Sequence, residues 1–405
     1  MKHVIAFDVS MGKSYMVIYN GLKKCIYEAE IKHTKPEFEK LRARIDELIE
    51  GYEDQPYIVF ESTGVYSRQL ERFMRDNYYS YCLLNPLEAK KQCDALRIHK
   101  TDKSDAHQLA LTHFSVSRRE TNGTDTLFQQ LKSLSRFYSE LDDELSVTRS
   151  RMHKVIQLTF PELEKLFTIK SDLFLNIVQL FPHPDFVQGL SKTIIKNKIR
   201  ANTNKNISGA MAEKKAIALI EASQQSYPAV SSSDVLCEQL LSYARRYQEL
   251  LQQKEQCIND MVQLAEKRSE YKVILSFPGI GPNTAVRLIA EIGDIHRFEN
   301  NKQLNAYAGI DIRRFQSGIT YFKDKINKRG NKHLRKLLFL IIQNMIKQRR
   351  YGRNHIVEYY DKLKTQPYNK CHKVASIACV NKLLKNIFFL ISHNMNYDYG
   401  LASKS

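Results

Sequence analysis

Apolar and polar positions change rhythm twice along the chain. In the first ninety residues short apolar runs alternate with turn signals: Val4 to Asp8, Tyr15 to Tyr19 and Lys24 to Glu30 are β-rich and are broken by Gly12 and by Asn20-Gly21, a hairpin dipeptide. Three antiparallel strands are expected there. Phe38, Leu41, Ile45, Leu48 and Ile49 then recur at helical spacing, and Tyr57 to Phe60 is a continuous apolar run suited to a buried strand. A helix over about Tyr66 to Asp76, a strand at Tyr81 to Leu84 and helices beyond Pro86 complete the order β-β-β-α-β-α-β-α.

The middle third has a different period. Leu127, Leu131, Leu134, Tyr138, Leu141, Leu145, Thr148, Met152 and Val155 repeat at 4-3 spacing, and so do Leu236, Leu240, Tyr243, Tyr247, Leu250, Lys254, Cys257, Met261 and Leu264. Both are heptad seams. Their equal length predicts one antiparallel coiled-coil stalk capped by the intervening, mostly helical segment, or else two seams that each pair with another subunit. From Tyr271 the pattern changes again: Phe277-Pro-Gly-Ile-Gly-Pro joins two apolar helices through a Gly-x-Gly turn, a helix-hairpin-helix signature. Gly279 and Gly281 let backbone approach a phosphate, and the following helix offers free N–H donors; an ordinary corner between helices fits the same residues equally well. The tail from Leu337 to about Asn394 reads as helical. The fold class expected is therefore α/β plus all-α: a domain over 1–120 whose element order is that of the ribonuclease-H-like fold, a helical coiled-coil domain over 121–270, and a mainly helical C-terminal domain over 271–405.

Charge narrows the partners. The 405 residues carry 62 Lys+Arg against 44 Asp+Glu, a net charge of +18, which points to polyanions. Basic clusters without membrane-type amphipathicity favour nucleic acid over lipid. The most apolar stretch, Ile377 to His393, is cut by Lys382 and Lys385 and reads as a buried helix, so no membrane partner is expected. Seven cysteines are scattered and never form a Cys-x-x-Cys pair. Neither a disulfide framework nor a zinc site is indicated, and a reducing cytoplasm is the expected location.

Two acids interrupt apolar runs: Asp8 ends the first strand and Glu61 ends Ile58-Val59-Phe60. Asp102 and Asp105 lie three residues apart at the start of a helix, hence on one face. Each alone is an ordinary cap or turn residue. Together, two strand ends and an i, i+3 pair can converge on Mg²⁺, an ion that takes oxygen ligands and serves phosphoryl transfer. His99, His107 and His113 lie near these acids in sequence and are read as structural.

Asp8, Glu61 and the Lys-Thr-Asp-x-x-Asp-Ala block resemble the DEDD motif of insertion-sequence transposases with a RuvC-like N-terminal domain. Phe277-Pro-Gly-Ile-Gly, Phe298, Ala306-Tyr-Ala-Gly309, Gln316-Ser-Gly318 and Lys328-Arg-Gly-Asn331 to Leu334-Arg335 resemble their C-terminal domain. The chain is similar over nearly its whole length to the insertion-sequence 110 family, described as recombinases guided by a bridge RNA. The resemblance implies that Asp8, Glu61, Asp102 and Asp105 hold Mg²⁺ and that Ser317 attacks a DNA phosphodiester. Read from the residues, Gly279, Gly281 and Gly318 let backbone approach a phosphate, and Arg313, Arg314, Lys328, Arg329, Lys332 and Arg335, more often a solvated basic face, favour phosphate clamping beside the adjacent glycine and serine. The partners expected are DNA, a second copy of the chain, as dimer or tetramer, and, as the resemblance implies, a noncoding guide RNA. Family members often carry proline ahead of the serine segment, where this chain has Ile310-Asp311-Ile312. Two rival functions remain open at this point: a junction nuclease of RuvC type using a metal-activated water, and a nonenzymatic nucleic-acid scaffold.

Overall fold

A computed structural model describes residues 2–52, 54–86, 89, 101–116, 118, 120–121, 125–203, 207–313, 316–317, 320–321 and 325–403; for 52, 316, 317, 320 and 321 it describes the backbone alone. Arg314, Gly318, His99 and the stretch 90–100, where a further helix is expected from the sequence, lie outside the described residues. The chain divides into two compact units, Met1–Thr124 and Asp125–Ser405.

The first unit is built on a five-stranded sheet: β1 (Val4–Ser10), β2 (Lys13–Tyr19), β3 (Cys25–Lys32), β4 (Tyr57–Glu61) and β5 (Tyr81–Leu84). Their order is β3-β2-β1-β4-β5, with β1 to β3 antiparallel and β4 and β5 parallel to β1. That order, with an antiparallel meander leading into parallel strands, is ribonuclease-H-like. Alternation along β1 explains the layering, because successive side chains point to opposite faces. Ile5, Phe7 and Val9 meet the apolar stripes of α1 (Lys35–Tyr52) and α2 (Ser67–Asp76), through Leu41, Ile45, Leu70, Phe73 and Met74. Val4 and Ala6 face the other way, where Ala106, Leu109 and Ala110 of α3 (Asp102–His113) cover them together with Val17, Tyr19 and Val59. Both faces are buried, which is why β1 and β4 read as continuous apolar runs.

The second unit is helical. Its two longest helices, α4 (Thr126–Thr159) and α9 (Val235–Ala265), run antiparallel: Cys257 Sγ meets the Leu134 carbonyl, Lys254 pairs with Asp142, and Arg246 with Glu144 at 2.8 Å. Leu131, Tyr138, Leu141, Leu145, Met152 and Val155 of α4 are buried, as are Leu240, Tyr247, Leu250, Cys257 and Met261 of α9. Between them in sequence come α5 (Leu163–Leu166), α6 (Asp172–Leu180), α7 (Lys192–Ala201) and α8 (Gly209–Gln225), which share a core with the far halves of the long pair. The near halves, from Phe128 to Tyr138 and from Cys257 to Ala265, belong to a second core with the C-terminal helices. Those helices are α10 (Ser269–Leu275), α11 (Pro282–Ile292), α12 (Asn301–Ala308), α13 (Lys332–Lys347), α14 (His355–Lys364), α15 (His372–Ser392) and α16 (Tyr399–Ala402). α15 is long and apolar enough to cross a membrane by length and composition. Here Ala375, Cys379, Val380, Leu383, Leu384, Ile387 and Ile391 form its buried stripe in that second core.

Between α12 and α13 the chain leaves the helical layer in two short ribbons, β6 (Ile312–Arg313) with β9 (Lys325–Ile326), and β7 (Gln316–Ser317) with β8 (Thr320–Tyr321).

Candidate functional site

Strand parity settles which way the two strand-end acids point. Asp8 shares its face with Val4 and Ala6, and Glu61 shares its face with Val59, so both stand on the side of the sheet that α3 covers. β1 and β4 are hydrogen-bonded parallel neighbours in register at Phe7 and Phe60. Asp8 and Glu61 each lie one residue further on, at the same strand ends, about 5 Å apart along the backbone by ordinary strand spacing. Both are partly exposed, where the next residues leave the apolar core.

The direction of α3 brings its first turn to the same place. His107 Nδ1 contacts the Tyr19 hydroxyl at 2.8 Å, and the His113 ring packs on Tyr57, at the opening of β4. Toward the other end, Lys103 pairs with Glu28, and its ammonium is pushed up chiefly by that bond, with Tyr15 a smaller contributor. Tyr15 is the register partner of Asp8. The Lys13 ammonium is likewise pushed up, first by its bond to Glu30 at 2.7 Å and less by the charge of Asp102. α3 therefore runs antiparallel to β1 and starts over the carboxyl ends of β1 and β4. Thr101 and Ser104 form a reciprocal capping box that fixes this start. Asp102 and Asp105 sit in the first turn, on the side that continues into Ala106 and Leu109. Asp8 and Glu61 thus end neighbouring strands on the sheet face that α3 covers, and Asp102 and Asp105 open α3; among the described residues their oxygens do not form a ligand cluster within 4.8 Å of one another. Four oxygen-donor side chains with no sulfur or imidazole among them suit a hard divalent cation such as Mg²⁺.

A second group in this unit, Cys25, Glu28 and His107, brings three ligand-type atoms within 4.8 Å of one another. Glu28 is already held by Lys103 on one oxygen and by His107 Nε2 at 2.8 Å on the other, so this group is an ion-pair cluster that ties α3 to β3.

In the second unit Ser317 lies in β7, where it pairs with Thr320. Arg313, Lys328, Arg329 and Lys332 are exposed or half-buried around the same excursion, and Lys328 takes a left-handed conformation at φ 59°. Arg335 acts differently, because its Nη1 donates to the Ala308 carbonyl at 2.8 Å and so ties α13 to the end of α12. Of the two hairpin glycines, Gly279 has φ +89°, and a Cβ there would sit 3.0 Å from Met345 Cγ and 3.2 Å from Met345 Cα, so its missing side chain lets the turn pack on α13. Gly281 faces open space at the start of α11, which has no side-chain cap.

Two residues that the sequence patterns do not single out are Glu291 and Arg136, and Tyr307 enters the sequence reading only within Ala306-Tyr-Ala-Gly309. Glu291 is buried among Leu288, Ile289, Ala290 and Ile292 and carries bonds from Arg136 and Asn331. A lone acid inside an apolar helix is the same signal that singles out Asp8 and Glu61. Burial pushes the Tyr307 hydroxyl up, but the charges of Arg297 and Lys132 and hydrogen bonds from Arg297 and Asn331 leave it below its usual value.

A ribonuclease-H-like unit with strand-end carboxylates, joined to a helical unit with a basic ribbon, is the composition of a DEDD-type transposase. Comparison with known proteins carries this further. A DEDD transposase model of the IS110 type matches residues 5–161, and a model described as the transposase IS116/IS110/IS902 family matches residues 271–360, together more than half of the chain. The chain belongs to the IS110 family of transposases. It is 30% identical over 162 residues to the transposase of insertion sequence IS1111A from Coxiella burnetii, covering 38% of this chain and 42% of that protein. It is 33% identical over 146 residues to the pilin gene-inverting protein of Moraxella bovis, covering 35% and 42%. The match thus spans about two-fifths of the length of each of these relatives. A 43.6 kDa protein of insertion element IS110 from Streptomyces coelicolor is 21% identical over 306 residues, covering 74% and 72%. Among solved structures, RuvC of T. thermophilus in complex with a Holliday junction substrate overlays 30% of this chain and all of its own, at 12% identity and a TM-score of 0.23. The fold assignment rests on the sheet order above.

Proposed function

We propose that the protein is a Mg²⁺-dependent DNA recombinase of an insertion sequence, guided by a noncoding RNA, in which Ser317 is the nucleophile. What supports the reading is that Asp8 and Glu61 end the parallel neighbours β1 and β4 on the face that α3 covers, and that Asp102 and Asp105 lie in the first turn of α3. A metal ion held by them would lower the cost of forming an alkoxide and neutralise charge on the leaving oxygen.

The chain's own residues do the rest. The Ser317 hydroxyl gives up its proton and its Oγ bonds to a DNA phosphorus; one P–O ester bond breaks, and the departing DNA oxygen takes up a proton. The phosphodiester energy is retained in the phosphoserine link, so strand exchange by the reverse attack needs no external energy source. Arg313, Lys328, Arg329 and Lys332 supply positive charge to the surrounding phosphates, which positions DNA without reading its sequence; Gly281 offers the free N–H groups of α11. Arg314 and Gly318 belong to the same segment. Sequence choice falls to the guide RNA, and a second copy of the chain assembles on the stalk of α4 and α9.

The experiment is to incubate protein, guide RNA and DNA with Mg²⁺, denature, and look for DNA attached to a peptide containing residue 317. Ser317→Ala is expected to lose the adduct and strand exchange by more than a hundredfold while keeping DNA affinity. Free DNA ends without an adduct would replace this reading by hydrolysis through water, and binding indifferent to Mg²⁺ with neither product would leave a scaffold.

A further inference from the structure

The excursion that carries Ser317 is rooted in a buried polar chain. Glu291, the penultimate residue of α11, has a side chain only 2% exposed. Its carboxylate receives Arg136 Nη2 at 2.9 Å and Ser135 Oγ at 3.2 Å, both from α4, and Asn331 Nδ2 at 2.7 Å. A carboxylate removed from water is tolerated when it is paired and hydrogen-bonded, and taking one partner away leaves a buried charge exposed to the full desolvation cost. Glu291 is therefore committed to these three donors.

Asn331 is the end of that chain and the beginning of another. Its Oδ1 accepts from the backbone N–H groups of His333 and Leu334 at 3.0 and 3.1 Å, capping α13, while its own N–H donates to the Tyr307 carbonyl at 2.7 Å. The Tyr307 hydroxyl returns to the Glu291 carbonyl at 3.1 Å. Tyr307 and Asn331 are the two residues at which the excursion leaves α12 and enters α13. Above them the strands stay clasped: Lys328 N–H donates to the Gly309 carbonyl at 3.0 Å, and Asn327 N–H to the Asp311 carbonyl at 2.9 Å. The clasp leaves no room for side chains at its crossing. A Cβ on Gly330 would lie 2.5 Å from the Tyr307 oxygen, and one on Gly309 2.5 Å from the Arg329 oxygen, at φ values of +130° and +68° that favour glycine.

We infer that Glu291 and Asn331 are positioning residues for Ser317. The chain Arg136–Glu291–Asn331 fixes the root of the Ser317-bearing ribbon against the long helix α4, and Tyr307 closes the ring from the other arm. A ribbon of two-residue strand pairs has little holding power of its own, since an isolated hairpin is marginal in water. Its alignment comes from its root, and a misplacement of about 1 Å at a nucleophile can cost on the order of a hundredfold in rate. α4 is thereby the reference against which the nucleophile is aligned. The inference rests on Ser317 being the nucleophile.

The test separates alignment from folding and from capping. Asn331→Ser keeps an oxygen that can cap α13 but is too short to reach Glu291; Glu291→Gln keeps the shape and removes the charge that holds Arg136; Tyr307→Phe removes one hydroxyl. Amide hydrogen exchange in the free protein is expected to speed up at least tenfold at Gly309, Lys328 and Asn331 in the first two variants, and less in the third, with exchange in α15 unchanged. In the recombination reaction the rate of adduct formation at Ser317 is expected to fall tenfold or more at saturating DNA, with DNA affinity within twofold of the parent. Wild-type exchange at those amides, or wild-type adduct rates in Asn331→Ser and Glu291→Gln, would overturn the inference. If the parent protein forms no adduct at Ser317, the nucleophile reading fails by itself, and unchanged exchange would show separately that the root is not held this way. Should Glu291→Gln fail to fold, Asn331→Ser and Tyr307→Phe decide the question.

Discussion

At the residue scale, what distinguishes Asp8 and Glu61 from turn caps is their shared face and shared strand end, so their charge should matter more than their shape. Asp8→Asn, Glu61→Gln and Asp105→Asn each retain size and hydrogen-bonding capacity while removing a ligand charge. Each is expected to reduce recombination by more than a hundredfold with nucleic-acid binding and melting temperature little changed. Recombination near the parent rate in all three would remove the metal assignment. His355 is a different kind of residue-scale case. It is 3% exposed, Asn386 Nδ2 donates to its Nε2 at 2.9 Å, and its Nδ1 meets the Tyr397 hydroxyl at 2.7 Å. Burial, with Lys382 adding to it and Glu358 opposing, pushes the imidazole down to about 4 from 6.5. The folded form thus binds its proton later than the unfolded chain does, so its stabilising contribution is complete above pH 6.5 and is lost as pH falls toward 4. At 1.36 kcal/mol per pKa unit, that is about 3 kcal/mol. Urea unfolding of the protein between about pH 7 and 4 should show a slope that His355→Gln flattens; equal slopes in parent and variant would contradict the assignment.

Elements were legible wherever a local pattern had one interpretation. The Asn20-Gly21 turn, the apolar run Tyr57 to Phe60 and the alternation in β1 depend on neighbours within a few residues, and the sheet follows them. The seams of α4 and α9 are a subtler case, because a heptad stripe looks the same whatever covers it. Leu141 and Leu145 meet the core of α5 to α8, whereas Leu131 and Tyr138 meet the core of the C-terminal helices, and no feature of the 4-3 spacing marks that change. The Gly-x-Gly turn was ambiguous for a related reason: φ and close approach both call for glycine, and only the fold reveals that Met345 is what approaches Gly279. Glu291 stayed hidden because its partners Arg136 and Asn331 lie 155 and 40 residues away. For the long helices the expected behaviour is clear. Leu141 is 2% exposed and Leu250 fully buried, so proline at either site loses core contact and an interior hydrogen bond, at about 3 kcal/mol or more for the backbone alone. Leu141→Pro and Leu250→Pro should lower helicity by circular dichroism and reduce assembled mass by light scattering. Parent-like helicity and mass in both would show that the pairing contributes little.

At the scale of the whole molecule, the proposed chemistry is divided: the carboxylates belong to Met1–Thr124 and the serine ribbon to Asp125–Ser405. Each unit has its own buried cores, so metal binding should be felt by one unit and not by the other. A ligand that binds only the folded state stabilises it by RT ln(1 + [L]/Kd), about 2.7 kcal/mol at a hundredfold excess over Kd. Hydrogen exchange of the full chain, with and without Mg²⁺, resolves the two units residue by residue. Mg²⁺ should slow exchange in β1, β4 and the first turn of α3, with the effect spreading through the sheet, and should leave α4, α9 and α15 unchanged. Asp8→Asn should abolish the Mg²⁺ effect, while Ser317→Ala should preserve it in full. Ca²⁺ is expected to protect the same amides, since both ions take oxygen ligands. Protection that appears in the second unit instead, or that survives in Asp8→Asn, would place the metal elsewhere and detach the strand-end acids from the reaction.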